Sequence, residues 1–364
     1  MIIGVDGNEA NVKQRVGVSV YTLKLLEYFR KKADANIKWR VFLRRPPLSH
    51  LPRPNRYFSY QVVSGSRLWL PVFLPLHLNL HRDIDRFFAP AHYSPALLPV
   101  PLITTIHDLA FFYYPNEFLG QDLYKLKHWT AASVRRSRRV IAVSKTTKKD
   151  LLRFYHLPED RIRVVYNGFE KNPVPRRTSQ DAIPRPPNRY PYLLYVGTLQ
   201  PRKNIETLIQ AFAAIKHLYP HLQLYIVGKK GWQYEKVFSE IERLGIEDRV
   251  FVSGFVSDPQ LAALYQNATC LVMPSFYEGF GLPVLEAMSF RCPVVSSFAA
   301  SLPEVGADAC LYFDPHSSSD LQEKLTMLMT DSQLRQELVR KGEQHIKQFS
   351  WNKCGEETFR VLTS

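Results

Sequence analysis

The sequence predicts an α/β protein with two doubly wound, Rossmann-like domains that face each other across a cleft. Three observations predict it. The chain has 364 residues, more than one hydrophobic core normally serves. Short apolar runs alternate with amphipathic helical segments, which is typical of βαβ units in a parallel sheet. The alternation stops once, at a stretch rich in proline and polar residues, and then begins again.

Composition indicates an intracellular globular protein. Hydrophobic residues make up 45% of the chain and charged residues 22%, as in ordinary soluble domains. The four cysteines show no metal or redox spacing, so we expect buried thiols. The start, MIIGVDG, lacks the features of a signal peptide, and the most apolar run, residues 68–80, is too short to cross a bilayer. We therefore expect a cytoplasmic protein.

The positive charge is concentrated in the first half of the chain. Residues 1–180 contain 30 Lys and Arg against 13 Asp and Glu, a net charge of +17, whereas residues 181–364 contain 18 against 20. A basic half suggests an anionic partner, although a basic surface that only aids solubility would give the same count. Its densest cluster is residues 133–153, and a basic face formed with Arg44, Arg45, Arg53, Arg56 and the aromatic-rich FFYYP would attract an anionic membrane surface.

The first predicted domain covers residues 1–172. Its strands, in order, are IIGV, WRVFL, YFSYQVV, RFFAP, LITTIHD, RRVIAVS and RIRVVYN, and its clearest helices are VYTLKLLEYFRK, LYKLKHWTAASVRRS and TTKKDLLRFYH. Ligands of such sheets bind at the carboxyl ends of the strands. Gly17 lies between the first strand and helix, where its amide could approach phosphate. His107 and Asp108 follow the strand LITTI as candidates for acid–base work, with a satisfied core histidine as the alternative.

The second predicted domain, residues 191–345, follows a linker at residues 173–190. Its predicted strands are PYLLYVGT, LQLYIVG, VFVSGF, CLVMPS and PVVSS, and its helices are NIETLIQAFAAIKHL, YEKVFSEIERLG, PQLAALYQNA and PVLEAMS. The remaining tail reads as helical throughout.

Two strand ends of this domain suggest an anion site. The first strand ends at Gly197, and Arg202 and Lys203 precede the next helix. Cations at a helix N-terminus oppose the helix dipole, so an anion such as diphosphate would explain them better than an ordinary solvated surface. Gly228 closes the next strand in the same way, although a plain turn is slightly favoured at this position.

The third strand end is FYEGFGLPVLEAMS, in which seven residues separate Glu278 from Glu286. Pro283 suits the first turn of a helix that we predict over residues 282–289. The two carboxylates would then lie on the loop and one turn inside the helix, where they could bind the hydroxyls of a sugar. The alternative is a dipole partner at Glu278 and a surface position at Glu286, but the rest of that helix is apolar.

Together these segments resemble the retaining, nucleotide-sugar-dependent glycosyltransferases of family 4, which have the GT-B fold. The resemblance rests on VGTLQPRKNIETLIQAF, LYIVGKKGW, VFVSGFVSDPQLAALYQNA and PSFYEGFGLPVLEAMSFRCPVV, and extends to TTIHDLAFFYYP and RRVIAVSKTTKKDLLRFY. Glu278 and Glu286 fit the family's E-x7-E motif. FSWNKCGEETF resembles the family's C-terminal helix, so residues 346–364 are expected to cross back to the first domain.

The resemblance implies a role for each candidate. Arg202 and Lys203 would bind the donor diphosphate, Glu286 the ribose, and Glu278 the transferred sugar, with His107 beside that sugar on the acceptor side. The remaining expected donor contacts are backbone groups or lie near the base: Gly17, Gly197, Gly228, Phe255, Val256, Gly279, Phe280, Gly281 and Leu282. Pro283 lacks an N–H, so only Leu282 and Val284 are expected to donate beside it. Many members of the family have two or more glycines in the loop before the first helix. In this chain that loop reads RVGVSVY and has Gly17 alone.

The implied reaction is a retaining hexose transfer without a metal or cofactor, to a glycan or lipid-linked acceptor in cell-surface polysaccharide synthesis. The pattern favours mannose from GDP-mannose, with a UDP-hexose as the alternative donor. A peripheral position at the inner face of the plasma membrane is also expected. Three other classes remain: a sugar phosphorylase or epimerase of similar architecture, a basic non-catalytic binding protein, and a nucleic-acid binder. No nucleic-acid motif supports the last class, so no nucleic acid is expected as a partner.

Overall fold

The computed structural model describes residues 1–15, 17–66, 68–170 and 190–364. These residues form two compact units, one of Met1–Gly168 with Phe349–Ser364 and one of Phe169–Gln348. Each unit contains one parallel sheet covered by helices. Two Rossmann-like α/β domains are therefore present, as the sequence predicts. The predicted linker, residues 173–190, lies outside the described residues apart from Tyr190.

The strands and helices follow one another in regular alternation. The strands are β1 (Ile2–Asp6), β2 (Lys38–Leu43), β3 (Phe58–Val62), β4 (Arg86–Ala89), β5 (Leu102–Ile106), β6 (Ser137–Ala142), β7 (Ile162–Val164), β8 (Tyr192–Val196), β9 (Gln223–Val227), β10 (Val250–Gly254), β11 (Cys270–Met273), β12 (Val294–Ser297) and β13 (Cys310–Phe313). The helices are α1 (Val18–Lys32), α2 (Leu74–His81), α3 (Ala110–Tyr113), α4 (Gly120–Arg136), α5 (Lys145–Tyr155), α6 (Ile205–Ile215), α7 (Glu235–Arg243), α8 (Asp258–Asn267), α9 (Leu282–Ser289), α10 (Leu302–Gly306), α11 (Ser318–Thr330), α12 (Ser332–His345) and α13 (Trp351–Thr363).

Both sheets reverse their strand order in the middle. In the first unit the order is β3-β2-β1-β4-β5-β6-β7, and in the second it is β10-β9-β8-β11-β12-β13. All of the pairings between these strands are parallel. The order reverses between β1 and β4 and again between β8 and β11. Such a switch point leaves a crevice at the carboxyl ends of the two strands, where ligands bind.

Local sequence signals set the helix starts. The side chains of Ser144, Ser317, Asp331 and Ser350 each accept a hydrogen bond from an amide in the first turn of α5, α11, α12 and α13. These caps satisfy donors that a helix cannot satisfy itself. The helix α9 begins at Leu282 with Pro283 in its first turn, at the predicted bounds.

The C-terminal helix α13 belongs to the first unit, where it packs on α1. A Cβ at Gly355 would lie 2.4 Å from the Tyr28 ring, so the glycine allows the two helices to approach closely. The Arg86 guanidinium donates to the carbonyl oxygens of Leu362 and Ser364, each at 2.6 Å. These bonds fix the end of the chain at the start of β4.

One apolar segment has a structure that its sequence did not predict. Residues 69–81 form a π-helix, Trp69–Phe73, that continues directly into α2. Two prolines and the lack of polar spacing conceal this helix in the sequence. Trp69, Leu74 and Leu78 are buried against the sheet. None of the helices in the described residues is long and apolar enough to span a bilayer.

The cysteine prediction is confirmed. Cys270, Cys292, Cys310 and Cys354 are buried and form no disulfide. Burial raises the pKa of the Cys292 thiol to about 12, and it raises the pKa values of the other three as well. They behave as small apolar core residues.

Candidate active site

Two loops meet at the switch point of the second unit. One carries the predicted cations and the other the predicted carboxylate Glu278. The loop after β8 contains Arg202 and Lys203 in a short 3-10 helix, Pro201–Lys203. The Phe276 amide in the loop after β11 donates to the Arg202 carbonyl at 2.9 Å. In return, the Arg202 guanidinium donates to the Tyr277 carbonyl at 3.0 Å. These reciprocal bonds hold the two loops together.

Lys203 and Glu278 form a buried ion pair within this junction. The Lys203 Nζ lies 2.6 Å from the Glu278 Oε1, and the two side chains are only 12% and 10% exposed. The Ser275 hydroxyl donates to the same carboxylate oxygen at 2.8 Å. The carboxylate is therefore held by two donors in a site with little water. Its hydrogen-bonding partners fix its position.

The electrostatics of this pair keep Glu278 ionised. Burial on its own would raise the pKa of the Glu278 carboxyl. The charges of Lys203 and Arg202, together with the hydrogen bonds from Lys203 and Ser275, outweigh it and lower that pKa below its usual value. The buried carboxylate also raises the pKa of the Tyr195 hydroxyl, after burial itself. Tyr195 is thus neutral.

Asn204 and Ser301 support the loops and were not predicted as functional residues. The Asn204 amide donates to the carbonyl oxygens of Pro274 at 3.0 Å and Pro315 at 2.8 Å. The Ser301 hydroxyl lies 2.8 Å from the Glu278 carbonyl oxygen and 2.9 Å from that of Phe280. Both side chains are buried. The available signal for Asn204 was its position between the predicted cations Arg202 and Lys203 and the start of α6.

The glycine-rich turn at residues 279–281 leads directly into α9, so backbone amides lie at the start of this helix. Gly281 has φ +106°, a left-handed conformation that favours glycine. The Val284 amide donates to the Gly281 carbonyl at 3.0 Å. The expectation that both Leu282 and Val284 can donate to a ligand therefore needs correction, because closing the first turn occupies the Val284 amide. In the described residues, the Leu282 amide has no such bond.

Glu286 lies one turn inside α9 and is bonded to Tyr265 of α8. The Tyr265 hydroxyl donates to the Glu286 Oε2 at 2.8 Å. Burial raises the pKa of the Glu286 carboxyl, and the charge of Asp258 adds to the rise, while the Tyr265 hydrogen bond opposes it. Tyr265 also stacks on Phe290, with ring centroids 5.8 Å apart. Tyr265, which the sequence analysis did not single out, thus orients this carboxylate.

The remaining predicted donor contacts lie at the ends of β8, β9 and β10. The Gly197 amide donates to the Val227 carbonyl, and a Cβ at Gly228 would lie 1.8 Å from the Gly197 oxygen. Only glycine permits this approach. Val256 is buried, whereas Phe255 is 52% exposed. The Lys229 Nζ, an unpredicted cation, lies 5.2 Å from the Phe255 ring centroid.

His107 belongs to the first unit, at the end of β5. Its Nε2 lies 2.8 Å from the Pro90 carbonyl oxygen, which can only accept, so Nε2 carries the proton. Burial lowers the pKa of His107 to about 4, with a contribution from the neighbouring His92. The imidazole is therefore neutral. The neighbouring Asp108 carboxylate accepts from the Ala110 amide at 3.1 Å, and its charge raises the pKa of His107 against the larger effect of burial.

Two further polar residues lie at strand ends of the first unit. His92 follows β4, and its ring centroid is 5.9 Å from that of His107. Asp6 ends β1 and accepts hydrogen bonds from the Asn8 amide and side chain at 3.0 and 2.7 Å. Burial raises the pKa of Asp6 to about 6. Gly17 caps α1 with φ +43°, a conformation that favours glycine.

The structure thus brings Arg202, Lys203 and Glu278 together, and places Glu286 on the helix that begins at the same loop. His107 and Gly17 lie in the other unit. Within the described parts of the chain, no three His, Cys, Asp or Glu side chains are grouped so that they could hold a metal ion. The second unit offers cations, glycine-flanked amides and carboxylates at one sheet edge. That set can bind a sugar attached to a diphosphate.

Comparison with known proteins agrees with this chemistry. The model for Glycosyltransferase Family 4 matches residues 15–172, and the model for Glycosyl transferases group 1 matches residues 176–345. The chain is 31% identical over 339 residues to O-antigen chain mannosyltransferase B of Escherichia coli, covering 91% of this chain and 84% of that protein. It is 30% identical to O-antigen chain mannosyltransferase RfbU of Salmonella typhimurium, covering 86% and 87% of the two chains.

A solved structure supports the fold. Sucrose-phosphate synthase from Thermosynechococcus elongatus superimposes with a TM-score of 0.78 at 19% identity, over 99% of this chain and 98% of that one. The GT-B fold class predicted from the sequence is confirmed. The chain therefore belongs to the family 4 glycosyltransferases, also described as group 1.

Proposed function

We propose that this glycosyltransferase moves mannose from GDP-mannose to a glycan or lipid-linked acceptor in cell-surface polysaccharide synthesis. The observation that carries the proposal is the junction of the loops after β8 and β11, where Arg202, Lys203 and Glu278 meet beside the start of α9. The names of the two mannosyltransferase relatives support the choice of mannose and of a surface polysaccharide.

In this proposal the diphosphate lies against Arg202, Lys203 and the Leu282 amide. Breaking the bond between the anomeric carbon and phosphate develops negative charge on the diphosphate. Preorganised cations and amides in a site with little water stabilise that charge most effectively. Lys203 is already held by Glu278, so it needs little reorganisation when the donor arrives. These groups supply the positive potential for a reaction that proceeds without a metal.

The two carboxylates would bind different parts of the donor. Glu278 would accept hydrogen bonds from hydroxyls of the mannose, helped by backbone of Gly279, Phe280 and Gly281. Glu286, oriented by Tyr265, would accept from the ribose. Phe255 has an exposed ring near Gly228 on which a base could stack.

The reaction step follows from the resemblance to retaining enzymes. The acceptor hydroxyl oxygen forms a bond to the anomeric carbon on the face from which the diphosphate leaves. The bond from that carbon to the phosphate oxygen breaks, and the departing diphosphate takes the hydroxyl proton. His107 stays neutral in this scheme, since its low pKa prevents protonation near pH 7. The neutral ring would hydrogen-bond a sugar hydroxyl, and it would not act as a positively charged imidazolium.

The acceptor would bind the first unit at the cytoplasmic face of the membrane. The net charge of +17 in residues 1–180 supports an anionic partner there. A lipid-linked acceptor combines such a partner with a sugar end that the enzyme can extend.

Release of GDP from GDP-mannose tests the donor. We expect slow hydrolysis without acceptor, faster turnover with it, no loss in EDTA, and an α-anomeric product by proton NMR. Release of UDP from a UDP-hexose, with no release of GDP, would show that the donor is a UDP-hexose and that the reaction is still a hexosyl transfer. No nucleotide release from any nucleotide sugar, with or without acceptor, would favour a non-catalytic binding protein.

A further inference from the structure

An open cavity lies in the second unit, at the sheet edge opposite the candidate active site. Its volume is about 770 Å³. Thr269 and Pro293 line it, and they directly precede the first residues of β11 and β12, so the cavity lies at the amino ends of these strands. The candidate active site lies at their carboxyl ends. The cavity is therefore a separate site, and it falls within the range of roughly 300–1,000 Å³ that is typical of small-molecule pockets.

One face of α12 forms a wall of this cavity. The lining residues from that helix are spaced so that they share one side of it: Arg335, Gln336, Val339, Arg340 and Glu343. Arg291, which follows α9, also lines the cavity. Among the lining residues that the structure describes, three guanidinium groups therefore stand against one carboxylate. This balance favours an anionic ligand.

Two of the three guanidinium groups keep hydrogen-bond donors available. Arg335 is held in place because its Nη1 donates to the carbonyl oxygens of Leu328 and, at 3.0 Å, Met329. Within the described parts of the chain, its other two nitrogens make no hydrogen bond, and the Arg340 guanidinium has neither a hydrogen bond nor an ion pair. Fixed guanidinium donors of this kind bind phosphate oxygens in pairs.

The third guanidinium belongs to a residue in an unfavourable backbone conformation. Arg291 has φ +61°, in the left-handed region, at a position after a helix where glycine is the usual residue. Its Nε lies 3.5 Å from the Glu343 Oε1, but the two side chains are 69% and 44% exposed. An exposed ion pair contributes little to stability, so this pair does not account for an arginine at that position. A ligand in the cavity would account for it.

We propose that this cavity binds a small phosphorylated molecule. Its phosphate oxygens accept hydrogen bonds from Arg291, Arg335 and Arg340, and its remaining part packs on Val339 and Pro293. A protein partner fits the cavity less well, because stable protein interfaces need about 800 Å² on each side and a concave site of this size admits a single small ligand. The proposal does not depend on the proposed function.

The test is hydrogen–deuterium exchange of the full chain during titration with inorganic pyrophosphate. Peptides from residues 331–345 report the cavity, and peptides from residues 197–205 and 276–286 report the candidate active site. The cavity variant is Arg291→Gln/Arg340→Gln. The control, Lys236→Gln/Arg243→Gln, also removes two cations of the second unit, and Arg243 resembles Arg291 in being 61% exposed and ion-paired.

We expect pyrophosphate to slow exchange in residues 331–345 of the wild type and the control. The cavity variant should need a concentration at least about tenfold higher for the same effect, since two of its charge-assisted donors are lost. Glu343→Gln should need a concentration about threefold lower, because it removes the lining carboxylate that repels phosphate and pairs with Arg291. A misfolded variant would not bind more tightly.

Any of three results would overturn the proposal. Pyrophosphate could slow exchange only in residues 197–205 and 276–286, the cavity variant could respond as the control does, or Glu343→Gln could bind no more tightly than the wild type. Nucleotide release from GDP-mannose is measured on the same samples. Slowed exchange in residues 331–345 of a protein that releases no nucleotide would refute the proposed function and leave the cavity site standing.

Discussion

Lys203 and Glu278, which are 75 residues apart in the sequence, form a buried ion pair in which Nζ and Oε1 lie 2.6 Å apart. The pair joins the loop after β8 to the loop after β11 at the switch point of the second sheet. It fixes a cation beside the start of α9, and it holds a carboxylate ionised in a buried site. The predictions on the donor site depend on this relationship.

Breaking the pair should reduce both stability and turnover. Lys203→Ala leaves the Glu278 carboxylate buried without its main partner, and we expect a loss of about 3 kcal/mol in the free energy of unfolding. The double variant Lys203→Ala/Glu278→Gln should recover much of that stability, since no charge is then left unpaired. It should not recover nucleotide release. Urea unfolding and steady-state kinetics measure the two effects, and equal stability of both variants would contradict the account.

Removing the Tyr265 hydroxyl should weaken donor binding without affecting chemistry. Tyr265→Phe removes the hydrogen bond that orients Glu286, so KM for the donor should rise on the order of tenfold while kcat stays nearly constant. The matched control is Tyr192→Phe, a buried tyrosine of the same unit whose hydroxyl donates to the Leu264 carbonyl at 2.7 Å. A rise in KM of the same size in the control would show that the effect is not specific to Glu286.

Gly228 should tolerate no side chain. Its Cβ would lie 1.8 Å from the Gly197 oxygen, so Gly228→Ala must displace the ends of β8 and β9. We expect a loss of at least about 2 kcal/mol in unfolding free energy and weaker binding of GDP. Gly245 has a positive φ of +57° but open space around it, so Gly245→Ala should cost about 1 kcal/mol and leave GDP binding intact.

His107 should make the protein less stable in mild acid. Its folded pKa of about 4 lies below the usual 6.5, so the unfolded chain binds more protons between these values. The stabilisation is complete above about pH 6.5 and is lost as the pH falls towards 4. Thermal midpoints of His107→Gln should therefore fall less than those of the wild type between pH 7 and pH 5. His217→Gln, at an exposed position, should follow the wild type.

The sequence predicts the alternation of strands and helices well, because the spacing of apolar residues and the position of turn residues indicate it directly. The bounds of β5 and α9 agree with the prediction, since a buried β-branched run and a proline after a glycine define them. The segment of residues 69–81 was missed because its apolar residues are not separated by a polar face and its prolines argue against a helix. Its helical structure depends on packing against the sheet.

Side-chain partners could be predicted only in part. Strand ends identified Lys203, Glu278 and Glu286 as candidates, because parallel strands bring their carboxyl ends to one edge. The Lys203–Glu278 contact and the Tyr265–Glu286 bond join distant segments, so no spacing reports them. The adjacent His107 and Asp108 looked like a pair in the sequence. In the structure the buried His107 ring bonds the Pro90 carbonyl, and the charge of Asp108 raises the pKa of His107 against the larger effect of burial.

Titration of GDP and UDP into the wild type and Glu286→Ala tests most directly whether the second unit binds a nucleoside diphosphate at the edge formed by β8, β11 and α9. The account predicts saturable binding of GDP to the wild type, on the order of tenfold weaker binding to Glu286→Ala, and unchanged thermal midpoints without ligand. Equal GDP affinities of the two proteins, or no binding of either nucleotide, would contradict it.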